Sequence, residues 1–360
     1  MNLVVLIATG LLVVATLLPI WRHPHWLIRG LDFPRLQLAV VAALLILVQV
    51  LLLDHAKAQT WVLVGVTSAC LAWQLWWVLP YTVFWRTEVK RAKSPSPERT
   101  LSILTANVLT PNKQADALLR LVNQHKPDVL VTLESDAWWQ GHLDTLQQDM
   151  PHSMKCPLDN LYGMHVYSRL QLDEREISYL VEDGIPSMHA LLTLRTGDQV
   201  RMHFLHPAPP SPTENPESAE RDAELVIVAR KIVDSDQPVI VTGDLNDVAW
   251  SETTRLFRKL SGLLDPRVGR GMFNTFHAKY PFLRWPLDHL FHSHHFTVSS
   301  IKRLPYFGSD HFGLFTELSF RPVRGKDQEG VKADADDKSW AKSIAEEQDV
   351  DSRDVPAPGE

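Results

Sequence analysis

Three short polar clusters carry the residue types from which a hydrolytic site could be built. They are Gly308-Ser309-Asp310-His311, Gly243-Asp244-Leu245-Asn246 and Pro286-Leu287-Asp288-His289, each placed beside an apolar run. Such spacing delivers carboxylates, an amide and an imidazole to one rim of a sheet. That set suits divalent-metal-assisted attack of water on a phosphate ester. A phosphodiester is protected by its own negative charge. Its hydrolysis needs a cation on a nonbridging oxygen, an oriented water and help for the leaving alkoxide.

The elements that must position these groups read as follows. Leu101–Val108 is a short β-like run, and Gln114–His125 has apolar residues at helical spacing, stopped before Pro127. Val129–Leu133 reads as a buried strand ending at Glu134, with further strands at His165–Ser168, Ala190–Arg195 and Val200–Leu205. Glu217–Val233 reads as a helix with one mixed face. Pro238–Thr242 is an apolar strand leading to Asp244, and Ser251 can cap a helix running to Leu260. Leu287–Phe291, Phe296–Ile301 and Gly313–Phe320 complete the strands. Strands outnumber helices and several are consecutive, which predicts packed sheets with helices outside.

The first 100 residues are different. Leu3–Ile20, Leu36–Leu53 and Trp61–Pro80 are almost wholly apolar and long enough to cross a bilayer as helices. The first lacks a basic flank and a small-residue cleavage site, so it reads as a span and not a signal peptide. Residues 1–100 carry nine Lys/Arg against four Asp/Glu. Arg22, Arg29 and Arg35 in the first loop, and Arg86, Lys90, Arg91, Lys93 and Arg99 after the third span, fall on one side. The positive-inside rule puts that side in the cytoplasm of a multi-pass inner-membrane protein. The expected domains are a transmembrane region over 1–86, a linker over 87–100, a catalytic domain over 101–321 and a disordered acidic tail over 322–360. The tail has six Lys/Arg against 11 Asp/Glu. The two cysteines, Cys70 and Cys156, exclude a disulfide framework and a Cys-x-x-Cys site. No obligate protein partner is evident; the expected partners are the bilayer and a phosphoester.

Over residues 100–320 the chain resembles the endonuclease/exonuclease/phosphatase superfamily, in its membrane-anchored bacterial-type form. The resemblance rests on ordered motifs: LTANV with Asn107, VTLES with Glu134, LHPAPP with His206, VTGDLN with Asp244 and Asn246, PLDHLF with Asp288, and GSDHFGL with Asp310 and His311. It implies an α/β (α+β) four-layer sandwich of two packed β-sheets flanked by helices, here preceded by three transmembrane helices. It further implies Mg²⁺, with Mn²⁺ as the alternative cation, held by Glu134 with Asn107 assisting through its carbonyl and Asp310 contributing. Asp244 would orient or deprotonate the water, Asn246 would donate to a phosphate oxygen, and His311 would contact the phosphate, held by Asp288. His206 matches a position near the leaving group, as a general acid. Leu109 stands two residues after Asn107, where many nucleases of the superfamily place an acid, and this departure weakens a second metal. His203, His289, His292, His294 and His295 are assigned to structure or surface, the last three being too closely spaced for a zinc site.

Three substrate readings follow. The tether and the acidic domain favour a hydrolase of lipid headgroups or small phosphoesters. A basic stretch over 255–303, with Arg284 as the expected substrate contact among interleaved aromatics, suits a nuclease. A catalytically inactive membrane scaffold is the third.

Overall fold

The computed structural model describes residues 3–93, 95–233, 235, 237–321 and 328–359. The chain opens with α1 (Leu3–Leu17), a single turn α2 (Trp26–Arg29), α3 (Arg35–Leu52) and α4 (Ala58–Val78). Three stretches, Leu3–Ile20, Arg35–Leu52 and Ala58–Tyr81, are long and apolar enough to cross a membrane. A buried polar thread ties them together. Gln49 Nε2 donates to the hydroxyls of Thr9 (3.0 Å) and Thr67 (2.9 Å), and Gln74 Nε2 donates to Thr16 (3.1 Å). In an apolar surrounding such bonds fix which helix faces meet.

The remaining elements are β1 (Thr100–Asn107), α5 (Ala115–His125), β2 (Val129–Leu133), α6 (Ala137–Leu143), β3 (His152–Cys156), β4 (Met164–Ser168), β5 (Leu172–Ser178), β6 (Ser187–Thr193), β7 (Gln199–Leu205), α7 (Ala219–Val233), β8 (Val239–Asp244), α8 (Glu252–Ser261), β9 (Asp288–His292), β10 (Phe296–Arg303), β11 (Leu314–Phe320) and α9 (Ala335–Glu347). Six strands form one sheet in the order β10-β11-β1-β2-β4-β3, and five form another in the order β5-β6-β7-β8-β9. The sheets pack face to face over Ile103, Val131, Val166, Ala190, Met202, Phe204, Ile240 and Leu290. Helices α5 and α6 cover the outside of the first sheet, and α7, α8 and α9 the outside of the second. The expected four-layer sandwich is therefore the fold.

Strand alternation aims the site. On β1, Ile103 and Thr105 face the other sheet, so Asn107 does too. Thr105 meets Thr242 of β8 across the gap at 2.7 Å. Ile240 and Thr242 set the same face for Asp244, Leu290 sets it for Asp288, and Met202 and Phe204 set it for His206. Asp244 and Asp288 are register partners on neighbouring antiparallel strands. Gly243 is required here: a Cβ on it would lie 1.8 Å from the Leu205 carbonyl oxygen.

Three expectations are corrected. β3, β5 and α6 were absent from the sequence reading; β3 and β5 are polar edge strands, so they show little apolar alternation. Residues 87–100 are not a free linker. Val89 is fully buried between the sheets, Glu88 pairs with Arg258 at 2.6 Å, and Ala92 N donates to Val298 O. The acidic tail is not disordered over its described part. Asp334 and Asp337 form a capping box at the start of α9, whose Trp340, Ala341, Ile344 and Ala345 make one apolar stripe against α7 and α8. The overall acidity conceals that stripe. Residues 322–327 and 360 of the tail lie outside the described residues.

The N-terminal helices are clasped to this sandwich. Trp250 Nε1 donates to Asp32 O (2.9 Å), the Tyr81 hydroxyl to Ala249 O (2.5 Å), and Arg22 pairs with Glu252 and Asp336. The first interhelical loop and the segment after α4 thus share one side.

Removing residues 329–360 would uncover Leu260, Ala229 and Ile232. The melting temperature of the detergent-solubilised protein should then fall by about 5 °C or more. An unchanged melting temperature would restore the disordered-tail reading.

Candidate active site

At one end of the inter-sheet cleft, the strand ends bring Asn107, Glu134, Asp244, Asp288 and His311 together. His311 Nδ1 lies 2.8 Å from Asp288 Oδ2, and its Nε2 lies 3.5 Å from Asp244 Oδ2. The Asn107 amide nitrogen donates to Glu134 Oε1 (2.7 Å) and to Asp244 Oδ2 (3.1 Å). Ser309 fastens the last loop to the first strand: its hydroxyl donates to Asn107 O (2.8 Å) and accepts from His311 N (3.0 Å). Glu134 and Asn246 hold left-handed backbone, with φ of 56° and 51°. Non-glycine residues rarely adopt that conformation, and it is commonest where a turn must present a side chain. Asp244 forms an Asx turn: its Oδ1 accepts from Asn246 N at 3.0 Å.

Electrostatics follow from burial. Burial alone would lower the His311 pKa, but Asp288 and then Asp244 outweigh it and raise the group to about 10. The imidazole is therefore cationic at neutral pH, with both nitrogens donating. Burial pushes the Glu134 carboxyl up to about 8; the Asn107 bond and His311 oppose this, while Asp310 and Asp244 add to it. Asp244 is likewise raised by burial and pulled down by His311. Three carboxyl groups thus crowd one imidazolium in the cleft.

That imbalance tests the fit of a cation. Glu134 Oε2 and Asp288 Oδ1 are buried without a hydrogen-bond partner, an expensive condition that a hard cation would relieve. Asp244, Asp288 and His311 also offer ligand-type atoms within 4.8 Å of one another. A cationic imidazole has no lone pair to give, however, so the donor set that fits is carboxylate oxygen centred on Glu134.

Other expected residues fall differently. Asp310 is half-buried beside Glu134 and His311, and its backbone oxygen accepts from Ala278 N at 2.6 Å. The Asn107 carbonyl does not face the carboxylates; it accepts from Leu109 N at 3.1 Å, and the amide nitrogen faces the cleft instead. Asn246 Nδ2 donates to Pro207 O at 2.9 Å, which ties the Asp244 turn to the loop after His206. His206 is buried at the same rim, and burial, only partly offset by Asp244, pushes it down to about 4. It is neutral at pH 7, so an ordinary general-acid role would first need a bound phosphate to recharge it.

Arg284 is spent on its own loop. It donates to Ala278 O (2.8 Å) and His277 O (3.3 Å) and stacks over Phe312. Most of the basic stretch is engaged likewise: Arg258 with Glu88, Arg267 with Asp265, and Lys259 with Asp337. Two aromatic rings border the site: Tyr162 lies 5.4 Å from the His206 ring, and Phe276, one of the aromatics interleaved with the basic stretch, lies 4.9 Å from the His311 ring. Tyr162 comes from a loop with no distinguishing spacing. Ser309 lies within the Gly308–His311 cluster, but its fastening role depends on Asn107, far away in sequence.

A sequence model of the Endonuclease/Exonuclease/phosphatase family matches residues 104–311. None of the curated proteins compared matches the chain. Solved structures do. D. rerio TDP2 complexed with single strand DNA product has a TM-score of 0.51 at 18% identity, covering 61% of this chain and 99% of that one. The human Nocturnin catalytic domain with bound sulfate anion has 0.52 at 17%, covering 67% and 99%. An endonuclease/exonuclease/phosphatase from Beutenbergia cavernae has 0.51 at 18%, covering 62% and 72%. At such identities the likeness is one of fold.

If Asp288 holds the charge on His311, Asp288→Asn should lower the imidazole pKa by about one to three pH units. Histidine NMR titration reads this directly. An unmoved midpoint would remove Asp288 from that role.

Proposed function

The chain belongs to the endonuclease/exonuclease/phosphatase family, and from that premise we propose that it is a membrane-anchored, divalent-cation-dependent hydrolase of phosphoester or phosphodiester bonds. The observation that carries the reading is the line Asp288–His311–Asp244 facing the buried Glu134 carboxylate. Glu134, with Asp310 beside it, would hold Mg²⁺ or Mn²⁺, which would supply positive charge to a nonbridging phosphate oxygen, and Asn107 would orient the Glu134 carboxyl by donating to it.

The chain's own groups do the rest. Asp244 orients the attacking water and takes its proton as the new P–O bond forms. The His311 imidazolium donates to a phosphate oxygen and stabilises the charge that grows there. Asp288 keeps that imidazole charged and oriented. The bond to the leaving oxygen breaks, and that oxygen recovers a proton from His206 or solvent. Asn246, held at the rim, has a second amide hydrogen for the phosphate.

Burial of the carboxylates supports a charged phosphoester as substrate. A nuclease activity is the second reading, favoured by one observation: a structure of the same fold holds a single-stranded DNA product. Against it, Arg258, Lys259 and Arg267 of the basic stretch are paired with acids of the same chain and Arg284 is bound to its own loop. The positive-inside pattern supports a cytoplasmic site on the inner membrane.

Asp244→Ala and His311→Ala should each lower turnover of a phosphodiester by about 10²–10⁴-fold with the fold intact by circular dichroism. Near-normal rates in either variant would remove these roles. Glu134→Ala should weaken apparent Mg²⁺ affinity by at least about ten-fold; an unchanged metal titration would contradict the ligand assignment.

A further inference from the structure

Residues 275–285 form a hairpin that joins the active site to the foot of the membrane helices. In its stem, Thr275 N and Phe276 N both donate to Trp285 O at 3.0 Å, and His277 N donates to Leu283 O at 3.0 Å. Arg284 closes it through the His277 and Ala278 carbonyls. One edge belongs to the site: Ala278 N donates to Asp310 O (2.6 Å), Phe312 N donates to Thr275 O (2.9 Å), and the Phe276 ring meets His311. The other edge belongs to the membrane helices. Gln37, in the first turn of α3, donates to Phe282 O at 2.8 Å, and Phe33 meets the Trp285 ring edge-on at 5.6 Å. Gln37 is two residues into the helix, about 3 Å of axial rise, so the hairpin tip meets that apolar stretch in its first turn.

The tip is Lys279-Tyr280-Pro281-Phe282-Leu283. Tyr280 is 58% exposed, Phe282 88% and Leu283 49%. Ile20 and Trp21 after α1, and Val83 and Phe84 after α4, are exposed apolar residues at the same end of the bundle. Aromatic side chains flanked by cations, continuous with apolar spans, have the composition of the membrane interfacial layer. In water the same patch would be a liability.

We propose that this hairpin seats its tip in the interfacial layer of the bilayer crossed by α1, α3 and α4, and so holds the mouth of the active site at that surface. The substrate class that follows is an amphiphilic phosphoester, its apolar tail retained in the bilayer while its phosphate reaches His311. A nucleic acid would call instead on the basic residues at this rim, and of these Arg284 is bound to its own hairpin. The seating rests on the three spans; the substrate class rests also on the hydrolase reading above.

The test uses the full chain in phosphatidylcholine/phosphatidylglycerol vesicles. Leu283→Cys, in a background of Cys70→Ala and Cys156→Ser, is labelled with an environment-sensitive fluorophore. Seating predicts quenching by spin-labelled lipids and protection from aqueous iodide; quenching by iodide alone overturns it. In parallel, hexadecyl and methyl p-nitrophenyl phosphodiesters are compared with Mg²⁺. The wild type should prefer the hexadecyl ester by about ten-fold or more in kcat/KM. Phe282→Ser/Leu283→Ser should abolish that preference while leaving the methyl ester rate unchanged. Equal wild-type rates on the two esters, an equal loss of both in the variant, or preferred cleavage of single-stranded DNA would each overturn the substrate class. If the wild type cleaves neither ester, the hydrolase reading fails and takes the substrate class with it, and the quenching result still decides the seating.

Discussion

Three carboxyl groups, those of Glu134, Asp244 and Asp288, crowd the imidazolium of His311 at one end of the inter-sheet cleft. Burial makes it costly to charge them and holds Glu134 and Asp244 above the ordinary carboxyl range, while His311 pulls both down. The strain shows in Glu134, raised to about 8, and in the buried carboxylate oxygens that lack partners. Under the proposed function, a cation relieves this crowding and a phosphate follows it. The packing of the two sheets enforces the gathering.

The enforcement is geometric. Asn107, Asp244 and His206 continue the inward faces of β1, β8 and β7, and Asp288 opens that of β9, so packing the sheets aims this part of the chemistry; Glu134 follows the inward Leu133 and is turned into the cleft by its left-handed backbone. The helices do the complementary work outside, and α9 completes the outer layer over α7 and α8. Because Val89 enters the inter-sheet core and Trp250 reaches Asp32, the apolar N-terminal helices pack against the same unit as the site.

Much of this was legible in the sequence. Asp244, Asp288 and His311 follow or precede apolar runs whose period fixes their face, and the three spans declare themselves by length. What stayed hidden depended on contacts distant in sequence. β3 and β5 carry too little alternation to be seen, because edge strands tolerate polar faces. The stripe of α9 is four residues within an acidic stretch, so composition outweighed it. The turn of the Asn107 amide toward Glu134, and the capture of Arg284 by its own hairpin, are decided by partners that no local spacing reveals. The contact between Gln37 and Phe282 spans most of the chain, and it sets the approach to the site.

The central claim is that the carboxylate surplus around Glu134 is a cation site serving His311 and Asp244. Anomalous diffraction from crystals equilibrated with Mn²⁺ tests it most directly. The account predicts a manganese peak bonded to the Glu134 carboxylate in the inter-sheet cleft, and its loss in Glu134→Gln. Manganese bound only elsewhere, at His292, His294 and His295 for example, or a cleft peak indifferent to Glu134, would contradict it.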